Sequence, residues 1–209
     1  MGKARKESKK RSSDKSIETC VQEACYVASS FWCTDAKNFP ANINKAKTSL
    51  LEINQRKYDQ VAAGQVSLVM TGGSSPPTLT SFAYQGSKID QANAAACTTF
   101  ATWGMYRLLT ECKDAMDGKR IEMIAHRGYR SAHVFLVIGR SKSSPGYKEA
   151  CGSLNEDGVL IYDPWLASLG WPGYHEATTS SSPFPDESRG EWWNKDCEMM
   201  FSTDWSTDD

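Results

Sequence analysis

The order of elements along this 209-residue chain predicts an α+β fold in which N-terminal helices pack on an antiparallel β-sheet. Two patterns carry that expectation. Apolar residues recur at helical spacing in three stretches before residue 113, and three β-like runs then follow between Arg120 and Asp163 with no crossover helix between them. Composition agrees, since 40% apolar and 23% charged residues are ordinary for a globular chain of this size. The expected organisation is a disordered basic leader over 1–15 and a single domain over 16–209.

Each element has its own signal. Ser16 reads as an N-cap, and Ile17, Val21, Ala24, Ala28 and Phe31 mark the first helix, which "KNFPAN" breaks. A second helix is expected from Ile43 to Ala63, ending at Gly64, and a strand over Gln65–Thr71, closed by Gly72-Gly73. "YQGSKID" reads as loop. A further helix begins near Cys97, with Ala101, Gly104, Met105, Leu108 and Cys112 on its buried stripe and Gly118 as its stop. Strands are expected over Arg120–His126, Ala132–Gly139 and Gly158–Asp163, with Ser141–Asp157 as a polar surface loop. Beyond Glu176 the pattern is poor, although "EWW" and "CEMMF" are apolar enough to return to the core.

Charge narrows the function classes. The first fifteen residues hold seven Lys/Arg against two acids, which leaves 17 basic and 23 acidic residues for the remainder. An acidic body argues against a nucleic-acid-binding domain. No run of about 18 apolar residues exists and the basic start is not followed by an apolar h-region, so neither a membrane span nor a cleavable signal is expected. Seven cysteines, an odd number at irregular spacing and without any C-x-x-C, predict reduced thiols rather than a disulfide framework, and the three histidines lack ligand spacing with a Cys pair. No metal and no cofactor is expected.

A thiol attacks as its thiolate, and an ordinary cysteine is only about 3% ionised at neutral pH. A helix N-terminus and an adjacent imidazolium together can lower a thiol pKa to about 5, which represents roughly 5 kcal/mol of differential stabilisation. Cys97 best meets that need, because a helix starts there and Ala94–Ala96 place no bulk over it. His133 opens the apolar strand "HVFLVIG", where a buried polar ring requires a partner. Asp163 ends "VLIYDPW", where it can hold one imidazole nitrogen and leave the other for the thiol. Taken singly, Cys97 reads as a small buried hydrophobe, His133 as a structural histidine and Asp163-Pro164 as a turn. The thiol-site reading rests on all three falling at element ends in an order that builds a triad. His126 in "AHRGYR" reads as structural or loop, and His175 in "GYHE" as solvent-exposed.

The order Cys97, His133, Asp163, with intervals of 36 and 30 residues, resembles the papain-like and transglutaminase-like superfamily of thiol enzymes. "HVFLVIG" followed by "VLIYDPW" is similar to the transglutaminase pattern of a His-led strand and an aspartate-proline. "ACTTFATW" and "IYDPWLASLG" resemble YopT-type bacterial effector cysteine proteases. Trp165 stands where those proteases carry Asn, and the glycine usual beside the Cys is absent. The resemblance implies a papain-like/transglutaminase-like core, with Cys97 as nucleophile, His133 as proton carrier and Asp163 as its orienter. Gln91, six residues before Cys97, takes the place of an oxyanion donor, with Asn93 or backbone N–H groups as alternatives, and Trp103 and Trp165 become candidate substrate contacts. The implied activity is amide hydrolysis or acyl transfer on a protein of a host or competitor, by a protease, deamidase or transglutaminase. The implied setting is an effector secreted without a signal peptide into a target cell's cytoplasm, with a secretion chaperone as a further partner. The alternative is a non-enzymatic protein-binding effector, or a chaperone or immunity-like partner, on the same scaffold.

Overall fold

In a computed structural model the described residues are 15–33, 78–128, 131–141, 145–151, 154, 156–177 and 197–205. The expected helix over 43–63, the strand over 65–71, the "EWW" segment and all of the basic leader except Lys15 lie outside them. The described chain is α+β, with helices packed on a five-stranded antiparallel sheet.

Helix α1 (Ile17–Ala28) starts where expected, because the Ser16 side chain accepts the Thr19 N–H at 3.2 Å. Cys20, Val21, Ala24, Cys25 and Ala28 form its buried stripe. It stops at Ala28 rather than running to Phe31, and the Ser29 and Ser30 hydroxyls donate to the carbonyls of Tyr26 and Val27. Strand β1 (Trp32–Cys33) then pairs in parallel with β2 (Ala94–Ala95).

Between them, "YQGSKID" is helical rather than a loop. Helix α2 (Leu79–Ala92) is nucleated by a reciprocal cap between Thr78 and Ser81, and it buries Phe82, Gln85, Gly86 and Ile89. Gly86, inside the stretch that reads as loop, is a packing residue. A Cβ there would lie 2.0 Å from Tyr106 Cβ, so its absence lets α2 lie close against helix α3 (Cys97–Glu111).

Helix α3 begins at Cys97 as expected but ends at Glu111. A 3₁₀ turn (Asp114–Met116) follows, and Gly118 completes the turn with φ 69°. The strands fall close to their expected places as β3 (Arg120–Gly128), β4 (Ser131–Ile138) and β5 (Leu160–Tyr162). A short helix α4 (Pro164–Ser168) precedes two strands with weaker signals, β6 (Tyr174–Glu176) and β7 (Cys197–Asp204). The sheet order is β6-β5-β4-β3-β7 with every pair antiparallel.

The sheet has two apolar faces. Ile121, Met123, Val134, Leu136, Ile138 and Tyr162 pack with α1, α2 and α3. The intervening residues Ile124, Phe135, Val137 and Ile161 form a second cluster with Leu154 and Met199. The described residues of the 141–157 segment therefore do more than the surface loop expected there. Tyr147, Cys151 and Leu154 cover the second face, and the segment reaches the outer edge of β7. There the Lys148 N–H donates to the Met199 carbonyl at 2.7 Å and the Cys151 N–H to the Cys197 carbonyl at 2.8 Å. Beneath it Arg140 holds Glu122 through two bonds of 2.7 Å and donates to the Cys151 carbonyl at 3.0 Å, so the buried carboxylate is fully matched.

Candidate active site

Cys97 is the first residue of α3 and is half-buried. The residue before it, Ala96, has no side chain with which to cap the helix. The Thr99 hydroxyl accepts the Ala96 N–H at 2.8 Å instead, so the thiol occupies the positive end of the helix without a competing carboxylate cap. Its sulfur lies 3.9 Å from the Thr98 hydroxyl. Close approach of α3 to the strands depends on Gly104. A Cβ there would meet Tyr162 Cε1 at 3.0 Å, Pro164 Cγ at 3.1 Å and Leu136 Cδ1 at 3.2 Å.

His133 sits at the start of β4 and is 1% exposed. Its Nε2 is 2.5 Å from Asp163 Oδ2, and Cys97 lies near enough to the ring to favour its charged form. Burial works against a charged ring here, but the Asp163 charge and hydrogen bond, helped by Cys97, outweigh it and raise the imidazole pKa to about 10. Trp165 packs on the ring with centroids 5.0 Å apart, and Phe135 lies at 6.2 Å on the same strand.

Asp163 is fixed by its local sequence. It caps α4, with Oδ1 accepting the Leu166 N–H at 3.3 Å and Pro164 at the first helical position, so "DPW" encodes a helix start as well as the end of a strand. Its own N–H donates to the Gly173 carbonyl at 2.6 Å. Both carboxylate oxygens are thus engaged, one by the backbone and one by the imidazole.

Cys97, His133 and Asp163 therefore come together from three elements that are far apart in sequence. The other sequence candidates fall elsewhere. Gln91 is exposed on the last turn of α2, and its side chain makes no hydrogen bond among the described residues; the left-handed Asn93, with φ 53°, separates it from β2. Trp103 is fully buried, donates to Asp90 Oδ1 at 2.8 Å and packs on Phe31, so it offers no face to a substrate. Trp165 is equally buried and acts as a wall for His133. His126 belongs to β3 rather than to a loop, and it pairs in register with His133 while only 5% exposed. His175, read as exposed, is half-buried on β6, where burial pushes its pKa down to about 4 against the opposing charge of Asp163.

Sequence reasoning missed the contribution of α1 and β6. Cys25 of α1 and Gly173 beside β6 both lie against the Asp163 turn, and the turn residues of "GWPG" were the available signal. Among the described residues no cluster of His, Cys, Asp and Glu is built to hold a metal ion, and no helix is long and apolar enough to cross a membrane. No family model, curated protein or solved structure matches the chain.

Proposed function

We propose that the protein is a thiol enzyme of papain-like or transglutaminase-like type that breaks or exchanges amide bonds, with Cys97 as nucleophile, His133 as proton carrier and Asp163 as orienter. One observation carries the reading. A buried imidazole is held by a carboxylate through one nitrogen, beside a half-buried thiol at a helix N-terminus that favours its charged form. Nε2 is taken by Asp163, so Nδ1 is the nitrogen left for the thiol proton. Transfer of that proton gives a thiolate and an imidazolium, and the Asp163 carboxylate favours the charged ring. The thiolate attacks an amide carbonyl carbon, and the imidazolium protonates the leaving amine. Water or an amine then releases the acyl group. Backbone N–H groups at the start of α3 are the oxyanion donors this geometry favours over the exposed Gln91.

The substrate is a protein side chain or peptide bond, on a target in a host or competing cell. The test is chemical. Iodoacetamide at about pH 6 should alkylate Cys97 much faster than the other six thiols. Intact mass spectrometry of candidate target proteins after incubation with wild type or Cys97→Ala then identifies the acyl acceptor. A gain of about 1 Da marks deamidation, fragments mark proteolysis, and cross-linked or amine-tagged species mark transamidation. Slow, uniform labelling of all thiols would remove the enzyme reading and leave a protein-binding role.

A further inference from the structure

Gly173 stands at a junction that the triad itself does not use. It is buried, and its carbonyl accepts the Asp163 N–H one rung beyond the Tyr162–Tyr174 pair of the β5–β6 ladder. A Cβ on residue 173 would lie 2.7 Å from Ala167 Cβ of α4, 2.7 Å from Cys25 Sγ of α1 and 2.9 Å from the Asp163 carbonyl oxygen. Two of these neighbours are a backbone oxygen and the Cβ of a helical alanine, so no rotamer change relieves the contact. Only the backbone can yield, and that backbone is bonded to the candidate acid. Helix α1 also braces the junction, since Gln22 Nε2 donates to the Tyr174 hydroxyl at 2.6 Å.

We infer that Gly173 is a positioning residue for the candidate site: by carrying no side chain it lets β6 close on the Asp163 backbone, between α1 and α4, and so fixes the carboxylate against His133. This rests on the thiol-site reading above. Asp163 is held by its N–H at Gly173, by its carbonyl accepting from Ala167, by Oδ1 at Leu166 and by Oδ2 at His133. Moving the first of these anchors by a few tenths of an ångström is transmitted to the last. The titratable groups around this pair are Cys97 from α3, Cys25 from α1, Tyr162 from β5, His175 from β6 and His126, which stands opposite His133 on β3. Burial keeps Cys25, Tyr162 and His175 uncharged near neutrality.

The test compares wild type with Gly173→Ala, recording Cys97 alkylation by iodoacetamide against pH, the NMR titration of ¹³C-labelled histidine and the melting temperature. In Gly173→Ala the alkylation rate near neutral pH should fall about tenfold and the His133 inflection should move about one unit lower. Adding Cys25→Ala, which removes one of the three crowding atoms, should return part of both, whereas Cys25→Ala alone should leave both unchanged. A lower melting temperature with unmoved alkylation rate and inflection would make the glycine merely structural and overturn the inference. Should Gly173→Ala fail to fold, Cys25→Val crowds the same contact from α1 and should give the same shifts in smaller measure; unmoved values there overturn it equally. Wild-type Cys97 labelling no faster than the other thiols defeats the thiol-site reading instead, and that result is read before any variant is made.

Discussion

Two buried charge pairs lie on either side of one sheet strand, and they behave differently. Glu122 and Arg140 are matched by two bonds of 2.7 Å, a third donor goes to the Cys151 carbonyl, and neither side chain exceeds 1% exposure. His133 and Asp163 are as deeply buried, at 1% each, yet they share one bond, and the imidazole also faces a half-buried thiol. A guanidinium keeps its proton under all ordinary conditions, so the first pair is a fixed clamp beneath the 141–157 segment. An imidazole exchanges its proton, so the second pair holds a charge that can come and go. Burial alone does not mark a reactive site. What distinguishes it is a proton that can move toward a group that solvent can reach.

The contrast can be broken at either end. Glu122→Gln leaves a buried guanidinium without its charge partner and should destabilise the fold by about 3–5 kcal/mol, read from the urea midpoint, while changing Cys97 alkylation by no more than about twofold. His133→Ala should do the reverse, lowering Cys97 alkylation at about pH 6 by roughly 100-fold. Asp163→Asn keeps the cap on α4 and removes only the charge, so a smaller fall of about tenfold is expected in the same assay. Replacing the whole clamp, as Glu122→Leu with Arg140→Met, should recover most of the stability lost in Glu122→Gln and come within about 1–2 kcal/mol of wild type.

A further effect is one of pH. Because the His133 pKa is raised from 6.5 to about 10, the stability contributed by its charged form is fully present below the unfolded value and is lost as pH rises toward about 10. His175 has the opposite sign. Its pKa is lowered to about 4, so its neutral form supports the fold above about 6.5 and that support is lost as pH falls through 4. Urea midpoints of His133→Gln and His175→Gln relative to wild type should therefore diverge at opposite ends of the pH range.

Much of the site was readable because its residues sit where elements begin or end. Ala94–Ala96 before Cys97, the apolar run after His133 and the aspartate-proline at 163–164 are local signals, and each lands within a residue or two of its observed boundary. The helix over 79–92 escaped because "YQGSKID" reads as loop, and only the distant Tyr106 explains its glycine. Strand β6 has three residues and no alternation of its own, so its pairing is set by β5 rather than by propensity. The burial of Trp103 was equally hidden, since its partners Asp90 and Phe31 lie elsewhere in the chain. The role of Gly173 is legible only once Cys25, Asp163 and Ala167 are seen to meet there.

Strand β7 sits between β3 and the 148–151 segment, and it donates and accepts on both sides. A chain emerging from the ribosome would thus carry two open edges, one on the central hairpin and one on the crossing segment, until residues 197–204 arrive to satisfy both. Synthesis interrupted before Cys197 would yield a sticky intermediate that already carries Cys97, His133 and Asp163, and holding such a chain in check is work suited to a folding helper.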